Sequence, residues 1–211
     1  VAQYYGSFVN QKGETWHIDI LTTDGTTTPT EIKLDADDPL TIEWEERDKY
    51  EPIQGATLTI KAETPTDRAF TRFVTDDPLL VVAKVYRNGA LFWQGCLDAE
   101  NYEEPYQRSD GYVVTLTFTD FGQWKRMPFD LIGIMPIRKV IEHCLEAINI
   151  PKSSINTLVS LQAAKDLDFN HTNQWDNDND LNAICIDTSN LYDDDGTPQK
   201  MYDAVEAILQ P

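Results

Sequence analysis

Basic residues are scarce in this chain. Its 17 Lys and Arg stand against 36 Asp and Glu, leaving a formal net charge of −19. That sign repels phosphate backbones and anionic lipid headgroups, so neither nucleic acid nor a membrane surface is expected as a partner. Cysteine is rarer still. Cys96, Cys144 and Cys185 lie far apart, with no C-x-x-C spacing and no even-numbered set, so the pattern specifies neither a zinc knuckle nor a disulfide framework. All three are expected to be small buried hydrophobes. Long apolar runs are also missing: none approaches the roughly 20 residues of a membrane span, and the opening Val-Ala-Gln-Tyr-Tyr lacks the basic and apolar regions of a signal peptide.

What the chain does have is enough apolar and aromatic mass to fold. Five Trp, nine Tyr and eight Phe, within a 41% hydrophobic composition, supply the burial that offsets chain entropy. Its charge is uneven, with eleven acidic residues and one basic residue (Lys200) from Asp166 to Pro211, which marks a separately organised acidic segment.

The hydrophobic period divides the chain. Up to about Lys125 the runs TWHIDIL, TEIKLDA, LTIEWEE, ATLTIKA, LLVVAKVYR, ALFWQGCL and YVVTLTFTD alternate or are rich in β-branched residues, with turn signals between them. Asn88-Gly89, between Tyr86-Arg87 and Ala90-Leu91, predicts a two-residue type I′ hairpin, since both turn positions need positive φ. Beyond residue 125, Ile137, Val140, Ile141, Cys144, Leu145 and Ile148 recur at helical spacing behind Pro136. They predict a helix from Pro136 to about Asn149 with those six side chains buried. LNAICID reads as a short strand, and a second helical pattern aligns Met201, Val205, Ile208 and Leu209. The expected class is α+β: a mainly antiparallel β sandwich or barrel over residues 1–125, then a smaller helix-containing acidic domain over 126–211. The second stripe runs into the end of the chain. A domain beyond residue 211 is expected to cover it, and the chain by itself is expected to assemble poorly.

Candidate sites are weak. Asp176, Asp178, Asp180 and Asp187 occupy positions one, three, five and twelve of a calcium-loop template, but Leu181 stands where the template needs Gly. A solvated acidic loop is the better reading. Asp195-Gly196-Thr197-Pro198 is turn chemistry. Glu100, Glu103 and Glu104 beside Tyr102 and Tyr106 suggest a sugar platform, yet neighbouring residues of an extended chain point to opposite faces, so Glu103 and Glu104 do not converge on one substrate. His17, His143 and His171 show no metal-ligand spacing. Asp120-Phe121-Gly122 shares letters with a kinase motif but has no Gly-rich phosphate loop or paired Lys beside it. No catalytic, cofactor-binding or metal site is therefore assigned, and a binding or structural role is expected.

In order along the chain, YYGSFVNQKGETWHIDI, YRNGALFWQGCLDAENYEEPY, YVVTLTFTDFGQWK, IRKVIEHCLEAINI and MYDAVEAILQP together resemble the amino-terminal part of phage tail or baseplate hub-like (tail-tip) proteins of Bacteroides-type prophages. The sequence departs from that pattern at Asp120-Phe121-Gly122, where Asp-Gly is expected. The resemblance implies a non-enzymatic structural subunit whose β domains build a ring, a trimer when full length, beneath the tail tube. Its implied partners are other copies of itself, the tail tube and other tail or baseplate proteins. The implied location is the virion tail, assembled in the bacterial host cytoplasm. The alternative is a carbohydrate-binding β-sandwich module.

Overall fold

A computed structural model describes residues 2–22, 28–44, 52–64, 69–70, 73, 80–98, 111–150 and 184–209. The chain divides into two compact units, Val1–Gln123 and Trp124–Pro211.

Among the described residues, the first unit forms one nine-stranded sheet. Its strands are β1 (Ala2–Val9), β2 (Thr15–Thr22), β3 (Thr30–Glu31), β4 (Lys33–Leu34), β5 (Leu40–Trp44), β6 (Ala56–Thr64), β7 (Val81–Arg87), β8 (Ala90–Leu97) and β9 (Tyr112–Thr119). They follow the order β3-β1-β2-β7-β8-β9-β6-β4, with β5 also on β6. The sheet curls into a nearly closed barrel because residues 30–35 serve both of its ends. Thr30 and Glu31 pair in parallel with Tyr4 and Tyr5, and the Ile32 N–H donates to the Tyr5 carbonyl at 2.8 Å. One residue later the partner changes: Lys33 and Leu34 pair with Glu63 and Ala62, and the Asp35 N–H donates to Lys61. Sequence alternation presents TEIKLDA as a single strand; in the fold it is a strap between two strands.

Alternation sets the faces. β6 is buried at every second position, and β2, β7 and β9 send Ile18, Ile20, Ala83, Val85, Val114, Leu116 and Phe118 inward to zero exposure. Burying each large side chain contributes about 1.5–3 kcal/mol relative to leaving it exposed. Tyr4 packs edge-on against Phe70 and Phe73 within the same core. β1 is a strand that sequence alternation did not identify. Its core-facing Gly6 leaves the space that Leu34 fills, since an added Cβ would come within 3.0 Å of that side chain.

Asn88 and Gly89 have φ of 50° and 82°, the two positive values that a type I′ turn requires. Between β8 and β9 the seam is short: Cys96 and Leu97 pair with Thr119 and Phe118. Among the described residues, Ala90, Leu91 and Trp93 pair on one side only, with β7, and Phe92 is the extra residue of a bulge between Leu91 and Trp93.

In the second unit, β10 (Ile134–Pro136) pairs antiparallel with β11 (Cys185–Asp187), and α1 (Ile137–Ala147) follows β10 directly. Pro136 sits at the N-cap rather than inside the helix. The helix ends in a Schellman arrangement with Asn149 at φ 62°, where the Ile150 N–H donates to Leu145 and the Asn149 N–H to Glu146. The Cys144 carbonyl, released by this tightening, accepts the Trp124 indole N–H at 2.7 Å. Of the six side chains expected to be buried, Val140, Cys144 and Ile148 are, while Ile137, Ile141 and Leu145 are half-buried.

The last helix is α2 (Met201–Leu209). Of its stripe, Met201 and Val205 are buried and Ile208 is half-buried; Ala204 is buried beside them, α2 packs beside α1, and the Met201 N–H donates to the Met127 carbonyl. Leu209 is 40% exposed. Cys185 departs from expectation. It is exposed, because β11 is half of a two-stranded ribbon whose other face carries the buried Met135.

Candidate functional site

Two hairpins meet at one end of the barrel. The β1–β2 turn is built by Asn10, whose side-chain carbonyl accepts the N–H groups of Lys12 and Glu14 and whose amide donates to the Glu14 carboxylate at 2.7 Å. The β7–β8 turn is held to it at Thr15. The Thr15 N–H donates to the Asn88 side chain at 3.0 Å, and the Asn88 N–H donates to the Thr15 carbonyl at 2.8 Å. Arg87 completes the junction. It ion-pairs with Glu14, and its guanidinium carbon lies 5.7 Å from both the Trp16 and the Phe92 ring centres. Phe8 stacks on Trp16 at 6.3 Å and Phe92 meets it edge-on at 5.3 Å. The Arg87 hydrogen bond, followed by that of Asn10, holds the Glu14 carboxyl below the usual carboxylate range.

Beside this rigid junction lies apolar surface that the sheet does not cover. Val9, Leu91 and Phe92 are 65%, 50% and 42% exposed. A fixed Trp, Arg and Phe cluster with apolar neighbours has the composition of a protein–protein hot spot. Cross-strand register sets this arrangement, since Trp16 lies between Phe8 and Arg87. Sequence spacing alone does not reveal it.

On the outer face of the same strands, Ser7 Oγ lies 2.7 Å from His17 Nδ1, and His17 Nε2 lies 3.0 Å from Asp19. Tyr5 and Tyr86 flank the ring. Ser, His and Asp are the letters of a hydrolytic triad, here lined up across two strands on an exposed sheet face. It is a polar cross-strand ladder of the kind that stabilises exposed sheet.

The residues singled out from sequence fall elsewhere. Asp187 caps the short 3-10 turn Thr188–Leu191, accepting from the Ser189 N–H and Oγ at 3.0 and 2.8 Å. Asp176, Asp178, Asp180 and Leu181, the Glu100–Tyr106 loop, and His171 lie outside the described residues. His143 pairs with Asp130. Asp195 accepts the Thr197 N–H at 2.9 Å in a turn closed by Gly196 at φ 82°. Asp120 has a structural task that the sequence did not suggest: both carboxylate oxygens accept the Ala56 N–H at 3.0 Å, tying the end of β9 to the start of β6. Gly122 has no room for a side chain, since a Cβ would lie 2.2 Å from Thr119 Oγ1. Among the described residues, no three His, Cys, Asp or Glu side chains are grouped to hold a metal ion, and no helix is long and apolar enough to cross a membrane.

Comparison with protein-family models, with curated proteins and with solved structures finds no match to this chain.

Proposed function

We propose that this chain is a structural subunit of a phage or prophage tail or baseplate, of the hub or tail-tip kind. It acts by oligomeric assembly beneath the tail tube and not as an enzyme. The observation that carries this reading is the locked pair of hairpin tips. Thr15–Asn88 and Glu14–Arg87 fix two turns to each other, and Val9, Leu91 and Phe92 stand exposed beside them. A surface ordered before contact loses little conformational entropy on association, which suits a wall element that must meet its neighbour in one register. The order of motifs along the sequence supports the tail assignment in particular. Copies of itself, in a ring of three for the full-length protein, and other tail proteins are the partners this reading requires, and the virion tail is its location.

Antibody labelling of purified particles by electron microscopy, with peptide mass spectrometry of the same particles, tests the proposal. Label at the tail tip and peptides at stoichiometric abundance are expected; particles with full tails and no trace of the chain would reject it.

A second reading rests on Trp44, which ends β5 at 61% exposure and offers a flat ring to a sugar. Binding to an immobilised glycan panel, lost in Trp44→Ala, would favour a carbohydrate-binding module instead.

A further inference from the structure

The second unit carries its own exposed apolar patch. Ile132 and Ile134 are 76% and 77% exposed and Ile184 is 39% exposed, whereas Met135, the residue after Ile134, is buried. The β10–β11 register explains the grouping. Ile134 lies across from Asp187, and Pro136 from Cys185, so these four share the outward face of the ribbon, with Ile184 next to it in sequence. Carboxylates border the patch: Asp187 opposite Ile134, and Asp130 two residues before Ile132. The hairpin-tip patch of the first unit has the opposite border. Lys12 is exposed in the β1–β2 turn three residues from Val9, and Arg87 is exposed beside Phe92 with Glu14 as its counter-ion. In a chain of net charge −19, a local excess of positive charge next to exposed apolar side chains is the unusual feature.

We infer that these two patches are the halves of one head-to-tail contact between copies of this chain. The hairpin tips of one copy (Val9, Leu91, Phe92, Lys12) dock on the isoleucine ribbon of the next (Ile132, Ile134, Asp187). Apolar centres meet, and Lys12 faces the carboxylate border. Like-with-like pairing of either patch would bring charges of one sign together, which disfavours a two-fold contact. A heterologous contact leaves one free patch at each end of every dimer, so it propagates to a ring or a filament. This inference rests on the assembly reading above and names the surfaces used. Each patch is small, so the contact is weak in solution, with a Kd of about 10–100 μM.

Sedimentation velocity on the 211-residue chain, with two single-patch variants, tests it. Wild type should show concentration-dependent association across that range. Leu91→Asp and Ile134→Asp should each remain monomeric when alone. Mixed in equal amounts they should form a dimer and nothing larger, because Leu91→Asp keeps the ribbon and Ile134→Asp keeps the hairpin tips. Val9→Asp and Ile132→Asp repeat the design at positions more exposed than Leu91 and outside the β10 strand, respectively, and circular dichroism establishes that each variant is folded. Wild type that associates while the mixture stays monomeric would overturn the pairing and leave assembly standing. A Leu91→Asp protein that dimerises alone would overturn it in favour of a two-fold contact through the ribbon. Wild type that stays monomeric up to 200 μM (about twice the weakest affinity expected) would overturn it as well, and particle labelling would still decide the tail assignment separately.

Discussion

Asn88 and Thr15 exchange two hydrogen bonds across 73 residues of sequence: the Thr15 N–H donates to the Asn88 side chain, and the Asn88 N–H donates to the Thr15 carbonyl. One residue thus sets a turn and joins two hairpins, since Asn88 also holds the positive φ of 50° that most side chains resist. Asn88→Ala should lose both the side-chain acceptor and the backbone preference, at a combined cost of about 1.5–3 kcal/mol in urea denaturation. Asn88→Gly keeps the backbone freedom and should lose only about 0.5–1.5 kcal/mol. Equal losses in the two variants would mean that the positive φ at position 88 contributes nothing.

In the second unit, burial ranks two large-to-small substitutions. Phe129 is fully buried, and Tyr192, whose hydroxyl donates to the Phe129 carbonyl, meets its ring edge-on. Phe129→Ala should cost about 3–5 kcal/mol. Leu145 is only half-buried, so Leu145→Ala should fall below about 2 kcal/mol, under the range for a truncated core leucine. Thermal unfolding followed by tryptophan fluorescence ranks the two, and a larger shift for Leu145→Ala would contradict the packing described.

The three thiols should react in two classes. Cys185 is exposed, whereas Cys96 and Cys144 are buried. Burial, aided by the nearby Asp130 charge, pushes the Cys144 thiol up to about 12, so its nucleophilic form is nearly absent at neutral pH. Native protein titrated with a chromogenic disulfide at pH 8 should release one equivalent quickly and the other two only after denaturation. Rapid release of all three would place Cys144 in contact with solvent.

Acid should loosen the hairpin junction before it reaches the core. The Glu14 carboxyl is held below its usual range by Arg87 and then Asn10, and that of Asp38 by Lys61 and then Thr41. A carboxyl with a depressed folded value binds fewer protons folded than unfolded. Its stabilisation is therefore complete above the unfolded value of about 4 and is lost as pH falls through the folded one. The difference in Tm between wild type and Glu14→Gln should be largest near neutral pH and shrink as pH falls below the ordinary carboxylate range. A difference independent of pH would show that ionisation of Glu14 is irrelevant to it.

Local chemistry was legible in the sequence, and long-range pairing was not. Asn88-Gly89 announces its turn because only a few residues tolerate positive φ, and α1 announces itself by the spacing of four that separates Val140, Cys144 and Ile148. β1 stayed hidden because Gly6 interrupts its apolar face, and the reason for that glycine, Leu34, lies 28 residues away. The hairpin-tip cluster was hidden for the same kind of reason. Nothing near Trp16 in sequence announces Arg87 or Phe92. Exposed Ile132 and Ile134 look like core residues until the fold leaves them outside.

The strap at residues 30–35 also fixes an order of events in time. It bonds to β1 on one side and β6 on the other, so its final geometry exists only after both strands are in place. Those strands belong to opposite ends of the pairing order. β1 is reached through β2 and β7, and β6 through β9, whose residues lie about 50 positions further along the chain. Closure therefore waits on contacts that carry a large loop entropy, the circumstance that makes β topologies slow to fold. Until it happens, one edge of β1 and one edge of β6 lack their strap. A refolding chain should pass through a period in which it is most prone to join a neighbour by the wrong strand, and light scattering during dilution from denaturant should peak before the last fluorescence phase ends.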